Sequence, residues 1–165
     1  MENIFIIDPL SFAQNKRIRH GKIAGDKLDR LRELIDSDEG FAYVIEGDTD
    51  KLARPTLRLQ IKGKIAVQCQ RCLDKLNHEV DIDTLLILAR NARELELYDA
   101  DNTIDAVLAL HELDMGALIE DEIILSLPIS PRHQEGGCNK DIQSILKREH
   151  KESPFSSLVS LKQTH

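Results

Sequence analysis

The clearest pattern along the chain is a strict alternation of apolar and polar residues that begins after Pro55. Every second position is apolar or small, and the positions between them are mostly polar; the first set is Leu57, Leu59, Ile61, Gly63, Ile65, Val67 and Cys69. A period of two is typical of a β-strand with one buried and one solvent-facing side. The alternation resumes from Leu76 to Thr84. We therefore predict two antiparallel strands that turn at CQRC (69–72).

Shorter patterns predict the other elements of the first half. Residues 4–7 (IFII) and 41–47 (FAYVIEG) are rich in β-formers and indicate strands. Residues 26–36 place leucines at helical spacing and predict a helix.

The second half combines one predicted loop with one predicted helix. Residues 94–105 are acidic and turn-like, which indicates an exposed loop. Asp114 is placed to cap a helix over 115–127, and Pro128 would end it because proline cannot continue the hydrogen-bond ladder.

These elements predict an α+β protein built around a long antiparallel hairpin with a few packed helices. We expect residues 1–138 to form a single domain and residues 139–165 a polar, flexible tail. Within the tail, IQSILKREH (142–150) predicts a short helix. PFSSLVSLK (154–162) is a short amphipathic segment that would dock either on its own domain or on a partner.

The charge distribution limits the expected partners. The net charge is −7, which argues against indiscriminate nucleic-acid binding. Residues 1–80 carry 14 Lys and Arg against 13 Asp and Glu, whereas residues 81–165 carry 8 against 16. An anionic partner should therefore meet the first half.

A short basic stretch is the best candidate for contact with phosphate. It contains Lys16, Arg17, Arg19, His20 and Lys22. The solvent-facing side of the first hairpin strand could extend it through Arg58, Lys62 and Lys64. An ordinary solvated surface explains the same residues equally well, and no aromatic residues for base stacking are interleaved with them.

The start of the chain shows no signal peptide, and no stretch approaches the ~20 apolar residues of a membrane span. We expect a cytoplasmic protein, in which cysteines serve as thiols or metal ligands more often than as disulfides.

Cys69 and Cys72 are the strongest chemical signal in the chain. Two thiolates separated by two residues can hold one tetrahedral ion from a single tight turn, but a structural zinc site needs two further ligands. His133 and Cys138, in a loop with two glycines, supply a candidate pair. We favour a structural Zn site made by these four residues. Packed cysteines without metal and a redox pair are the alternatives, although a redox CxxC normally starts a helix rather than joining strands.

Several motifs taken together resemble a known family. They are CQRCL (69–73), IEDEIILSLPISPRH (119–133) followed by Cys138, and PFSSLVSLK near the end. This combination is similar to the YceD family, the large ribosomal RNA subunit accumulation proteins, and the likeness extends over nearly the whole chain.

The resemblance implies a non-enzymatic cytoplasmic factor that supports the synthesis, processing or stability of 23S ribosomal RNA. Its partner would be 23S rRNA or a pre-ribosomal particle, contacted directly or through a protein, with no membrane and no small-molecule substrate. The matching positions are Cys69, Arg71, Cys72, Glu120, Asp121, Glu122, Pro128, His133 and Cys138. A protein–protein adaptor with indirect effects on RNA is the alternative function, and the acidity of the chain favours it.

Four of these matching residues are further candidates for contact with RNA or a protein. Arg71 would project from the hairpin tip, where it could bind a phosphate or a carboxylate, or pair within the chain with an acid at 120–122. Glu120, Asp121 and Glu122 cannot all face one way on a helix, so at least one should turn inward and need a cationic partner. An enzymatic role is not expected, because no nucleophile converges with these carboxylates.

Overall fold

The computed structural model describes residues 5–139 and, beyond them, residues 141, 144 and 145. The segment 154–162 and most of the helix predicted at 142–150 lie outside the described residues. The division into a domain and a tail therefore stays a prediction.

The order of elements confirms an α+β fold. Along the chain they are β1 (Ile6–Ile7), α1 (Pro9–Gln14), β2 (Ile18–Ile23), a 3-10 turn (Gly25–Lys27), α2 (Asp29–Arg32), β3 (Ser37–Thr49), β4 (Pro55–Gln68), β5 (Lys75–Ala89), α3 (Ala92–Asp99), β6 (Asp105–Leu108), β7 (Leu113–Asp114) and α4 (Met115–Ser126). Within the described residues, every helix is too short or too polar to cross a membrane.

One mixed sheet organises the molecule. Its strands lie in the order β2-β3-β4-β5-β6, antiparallel except for the parallel β5–β6 pair. The short strands β1 and β7 form a separate antiparallel pair. Since β6 follows α3, the parallel pairing is made by a crossover through that helix.

The β4–β5 hairpin is confirmed, and it is longer than the sequence pattern indicated. Its register runs from Thr56 opposite Ile87 to Gln68 opposite Lys75, which leaves residues 69–74 as the tip. The alternate apolar positions of β4 face the core, because Leu57, Leu59 and Ile61 are fully buried.

The helix predicted at 26–36 is only partly present, as a 3-10 turn and the single turn α2. Leu28 and Leu31 are buried, but Leu34 remains 52% exposed. Short helices depend on packing, and the amide of Asp36 already donates to the carbonyl of Ala66 on β4 at 2.8 Å. The chain instead turns into β3 at Ser37.

The loop predicted at 94–105 was wrong for its first half, because helix α3 occupies residues 92–99, but the predicted exposure is confirmed since no residue of α3 is buried. The side chain of Asn91 accepts a hydrogen bond from the amide of Glu94, whose carboxylate accepts one from the amide of Arg90. This reciprocal arrangement closely resembles a capping box. The helix is held against β5 and β6, with Arg54 lying 5.6 Å from the ring centre of Tyr98.

Helix α4 begins as predicted. The side chain of Asp114 accepts hydrogen bonds from the amides of Gly116 and Ala117. The helix ends at Ser126, and Leu127 is already extended, as expected for the residue before a proline. Helices α1 and α4 pack on the same buried side of the sheet, so the core lies between these helices and β3, β4 and β5.

Candidate metal centre

Four side chains from two distant segments converge at the hairpin tip. Cys69, Cys72, His133 and Cys138 each offer a ligand atom, and these atoms all lie within 4.8 Å of one another. Ligands of a tetrahedral zinc ion with Zn–S bonds of ~2.3 Å are separated by ~3.8 Å, so only small shifts are needed for shared coordination. The predicted convergence of these four residues is confirmed.

The turn at the tip places its two cysteines side by side. The amide of Cys69 donates to the carbonyl of Asp74, and the amide of Leu73 donates to the carbonyl of Cys69, both at 2.9 Å. Leu73 adopts a φ of 63°, a left-handed conformation that reverses the chain directly after Cys72. The three cysteine side chains form a small buried cluster.

Residues 128–138 bring the other two ligands to the tip. The amide of Gln70 donates to the carbonyl of Pro131 at 2.8 Å, which joins this loop to the turn between the cysteines. A tight turn then runs from Gln134 to Gly137, with Gly136 at a φ of 81°. This turn returns Cys138 to the side of His133.

The imidazole of His133 is oriented for metal binding. Its Nε2 lies 3.1 Å from the carbonyl oxygen of Lys75. Because a carbonyl only accepts, Nε2 carries the proton and Nδ1 presents its lone pair. Nδ1 in turn lies 3.3 Å from Cys72 Sγ and 3.9 Å from Cys138 Sγ. A histidine ligand held by a second hydrogen bond is the usual arrangement in zinc sites.

The surroundings of the sulfur atoms lower the pKa of Cys69 and raise the pKa of Cys72. Burial opposes ionisation of Cys69, but the amides of Cys72, His133 and Arg71 donate to its sulfur and lower its pKa to about 5. Burial raises the pKa of Cys72 to about 11, and the neighbouring sulfurs of Cys69 and Cys138 add to that effect. A divalent cation would relieve the crowding of thiolates, because metal binding replaces their protons.

Arg71 lies half-buried at the tip between the two cysteines. Within residues 5–139, no carboxylate lies within ion-pair distance of its guanidinium. The proposed pairing with an acid at 120–122 was wrong, because those acids bind other partners.

Glu120 is the inward-facing acid that the sequence led us to expect, and its cationic partner is Arg30. The buried carboxylate accepts hydrogen bonds from the amides of Arg30 and Leu31, at 2.7 and 3.1 Å, and from Arg30 Nε at 2.9 Å. Burial opposes its ionisation, but these donors lower the pKa of Glu120 below its ordinary value. Arg30 also contacts Asp121 at 2.6 Å. Glu120 therefore joins α4 to α2 and has no oxygen free for an external partner.

Glu122 occupies a different setting. It is half-buried, and Thr84 Oγ1 donates to it at 3.0 Å. Burial raises its pKa above the ordinary value, and the charges of Asp105 and Asp121 act in the same direction.

The basic stretch at 16–22 does not form one surface. Strand β2 pairs through His20 with Val44 and through Lys22 with Ala42, so even and odd positions point to opposite faces of the sheet. Lys16 pairs with Asp48 at 2.9 Å. Arg19 occupies an odd position of β2, and Arg17 precedes the strand.

The proposed extension of the basic stretch along β4 is neutralised by β5. Arg58 makes a two-point contact with Asp83 at 2.8 and 2.7 Å, and Lys62 and Lys64 pair with acids of the same strand. The Arg58 guanidinium lowers the pKa of Asp83 to about 2. These cations are satisfied within the sheet, so they extend no phosphate-binding surface.

Arg30 is the important residue that sequence reasoning missed. Its only signal was its place in the leucine-patterned stretch 26–36, 90 positions away from Glu120.

The comparisons with known proteins cover both segments that carry the candidate ligands, the hairpin tip and the loop after α4. A family model described as "Large ribosomal RNA subunit accumulation protein YceD" matches residues 57–162, which include all four candidate ligands. The chain is 27% identical to the large ribosomal RNA subunit accumulation protein YceD of Haemophilus influenzae, over 95% of this chain and 94% of that protein. No solved structure matches the chain.

Proposed function

The chain belongs to the YceD family of large ribosomal RNA subunit accumulation proteins, and we propose that it supports the accumulation of 23S ribosomal RNA as a non-enzymatic factor in the cytoplasm. The family assignment supports the proposed biological role. The convergence of Cys69, Cys72, His133 and Cys138 supports the proposed mechanism, in which a metal ion joins two segments of the chain.

In this proposal the four residues hold one structural zinc ion. A set of three thiolates and one imidazole is an ordinary zinc ligand set, and soft sulfur ligands disfavour magnesium or calcium. The proton on His133 Nε2 is engaged by Lys75, so Nδ1 is the nitrogen that faces the three sulfurs. The four candidate ligand atoms lie within 4.8 Å of one another.

A zinc ion bound in this way supports a structural role. Four protein ligands complete a tetrahedron and leave no open position for a water or a substrate. The ion would tie the β4–β5 tip to the loop after α4, which the hydrogen bonds from Gln70 to Pro131 and from His133 to Lys75 already join.

This connection between the β4–β5 tip and the loop after α4 would also fix the position of Arg71. Its guanidinium has no carboxylate partner among residues 5–139, and the backbone on both sides is held by cysteine ligands. A fixed arginine presents a planar set of donors that matches a phosphate or a carboxylate. We assign the contact with RNA or with a ribosomal partner to this tip.

An acidic protein–protein adaptor is the second candidate, and one observation favours it. The cations of β4 are paired with Asp83, Asp81 and Glu79, so the open face of the sheet offers no excess of positive charge. An adaptor would reach the RNA through a protein. Filter binding of the full chain to 23S rRNA over a range of salt concentrations separates the two, because direct binding weakens steeply as salt rises.

The main test measures 23S rRNA in cells whose own copy of the gene is replaced by a variant. His133→Ala should lower the rRNA level and the zinc content of the purified protein together. His111→Ala, which changes an exposed histidine far from the ligands in sequence, is the matched control and should change neither. Normal rRNA levels with a metal-free, stably folded His133→Ala protein would remove the zinc-dependent mechanism while leaving the family role intact.

A further inference from the structure

A groove of about 500 Å³ lies beside the metal centre. Its walls come from the α2–β3 connection, the end of β4 and the segment after α4, and they include Leu34, Ile35, Val67, Leu127, Ile129 and Pro131. This volume lies within the range of about 300–1,000 Å³ that is usual for ligand-binding clefts.

The groove exposes apolar side chains that the described residues do not cover. Ile129 is fully exposed and Leu34 is 52% exposed. A single exposed leucine needs no explanation, but neighbouring ones around a concavity indicate a binding surface. These two side chains make the groove a candidate docking surface.

The sequence of the chain contains a segment of suitable pattern. Within PFSSLVSLK, Phe155, Leu158 and Val159 are spaced i, i+3 and i+4, which places them on one face of a helix. Helices that bind in grooves use anchors with this spacing. The family model ends its match at residue 162, so this segment belongs to the part of the chain that is typical of the family.

The chain can reach the groove. Asn139 is held at the hairpin tip, where its side chain donates to Asp74 at 3.1 Å, and Gln70 of the same tip lines the groove. Fourteen residues lie between Asn139 and Pro154, and the extended chain between these two positions spans up to ~50 Å. That length exceeds the distance across a small domain, which is roughly 30 Å.

Charge favours the same pairing. Residues 140–165 carry five Lys and Arg against three Asp and Glu, whereas residues 1–139 carry 17 against 26. The groove has Glu33 and Asp36 at its wall, and Lys162 ends the apolar segment. An amphipathic segment with a basic end is attracted to a groove with an acidic edge.

We infer that residues 154–162 dock within the same chain into the groove beside the metal centre, with Phe155, Leu158 and Val159 against Leu34 and Ile129. The docked segment covers the apolar surface, and the zinc-bound tip holds both the groove wall and the start of the connecting chain.

The test uses the full-length, zinc-loaded protein and nuclear magnetic resonance. Nuclear Overhauser contacts are expected between the Phe155 ring and the methyl groups of Leu34 and Ile129. Amides of 155–162 should exchange with solvent roughly tenfold or more slowly than in an unstructured peptide of the same sequence.

Two pairs of variants make the test specific. Ile129→Ser should remove the exchange protection of 154–162, whereas Leu125→Ser, which changes an exposed leucine that does not line the groove, should leave it unchanged. Phe155→Ser should shift the methyl signals of the groove, whereas Ser157→Ala, two positions from Phe155 and therefore on the opposite side of a helical arrangement, should not.

Three outcomes would overturn the inference. One is the absence of both contacts and protection in the native protein. A second is a set of contacts from Phe155 to another surface. The third is contacts that appear only between differently labelled chains in a mixed sample, which would identify a second copy as the occupant.

Discussion

His133 Nε2 lies 3.1 Å from the backbone oxygen of Lys75, so one hydrogen bond connects the loop after α4 to the first residue of β5. This contact sets the direction of the imidazole, because it leaves Nδ1 facing the sulfurs of Cys72 and Cys138. The candidate ligands are therefore oriented by the backbone of the hairpin itself.

The first prediction concerns metal removal. A chelator should lower the free energy of unfolding by at least ~2 kcal/mol, which corresponds to a fall in Tm of about 4–8 °C for a chain of this size. Calorimetry with and without added zinc measures the change. His133→Ala should show the low Tm with or without metal, and His111→Ala should behave as the native protein. A native protein whose Tm is insensitive to chelation would contradict the zinc site.

The convergence of the ligands could be anticipated only in part. The alternation in 57–69 and 76–84 predicted the hairpin and placed Cys69 and Cys72 at its tip, because strand periodicity is a local property. The approach of His133 depends on backbone contacts such as that of Gln70 with Pro131, which no spacing encodes. Ligand chemistry predicted that His133 and Cys138 complete the site of Cys69 and Cys72, and the fold shows which backbone contacts bring them together.

Helix α3 and the Arg30–Glu120 pair were not predicted from the sequence, the first for a local reason and the second for a long-range one. Helix α3 was missed because its acidic composition outweighed the capping signal of Asn91 and Glu94. The Arg30–Glu120 pair was missed because it joins two helices 90 residues apart. The sequence showed that an acid must turn inward, but several arginines could have met it.

The second prediction distinguishes a metal site from a redox pair. In the zinc-loaded protein all three cysteines should react slowly with an alkylating reagent, because they are buried and coordinated. After chelation Cys69 should react first, since its pKa of about 5 leaves it as a thiolate at neutral pH. Mass spectrometry of digested samples identifies the modified residue. Rapid reaction of Cys69 and Cys72 in the zinc-loaded protein would instead support a redox function.

The third prediction concerns the joint between α2 and α4. Glu120→Gln should destabilise the protein by ~2 kcal/mol, because one oxygen accepts from the two backbone amides and the other from the Arg30 guanidinium, and in glutamine one of these acceptors becomes an NH2 donor. Asp121→Asn removes an exposed charge beside the same Arg30 and should cost less than ~1 kcal/mol. Urea unfolding at pH 7 measures both. Equal costs for the two variants would show that burial of Glu120 adds nothing to its interaction with Arg30.

The fourth prediction uses the opposite pKa shifts of two acids on α4. The pKa of Glu120 is lowered in the folded state, so its contribution to stability is present above its unfolded pKa and is lost as pH falls through the folded value. The pKa of Glu122 is raised, so its ionisation reduces stability as pH rises from the unfolded value through the folded one.

Variants at these two positions should therefore change the pH dependence of unfolding in opposite ways. Glu120→Gln should remove part of the rise in stability that follows increasing pH in the acidic range. Glu122→Gln should instead steepen that rise and leave stability at pH 7 equal to or above that of the native protein. Urea unfolding at a series of pH values checks both, and a Glu122→Gln protein destabilised as much as Glu120→Gln would contradict the assigned shifts.

The last prediction concerns the function of the tip. Arg71→Ala should change the free energy of unfolding by no more than ~0.5 kcal/mol, because the guanidinium has no ion-pair partner among residues 5–139. The same variant should lower 23S rRNA in cells, since the tip is the proposed contact with RNA or a ribosomal partner. Arg93→Ala, at an exposed position on α3, is matched in charge and size and should leave the rRNA level unchanged. If Arg71→Ala retains its zinc and its stability but also supports normal rRNA levels, the contact does not pass through this arginine, and Arg17 on β2's N-terminal side becomes the next cation to replace.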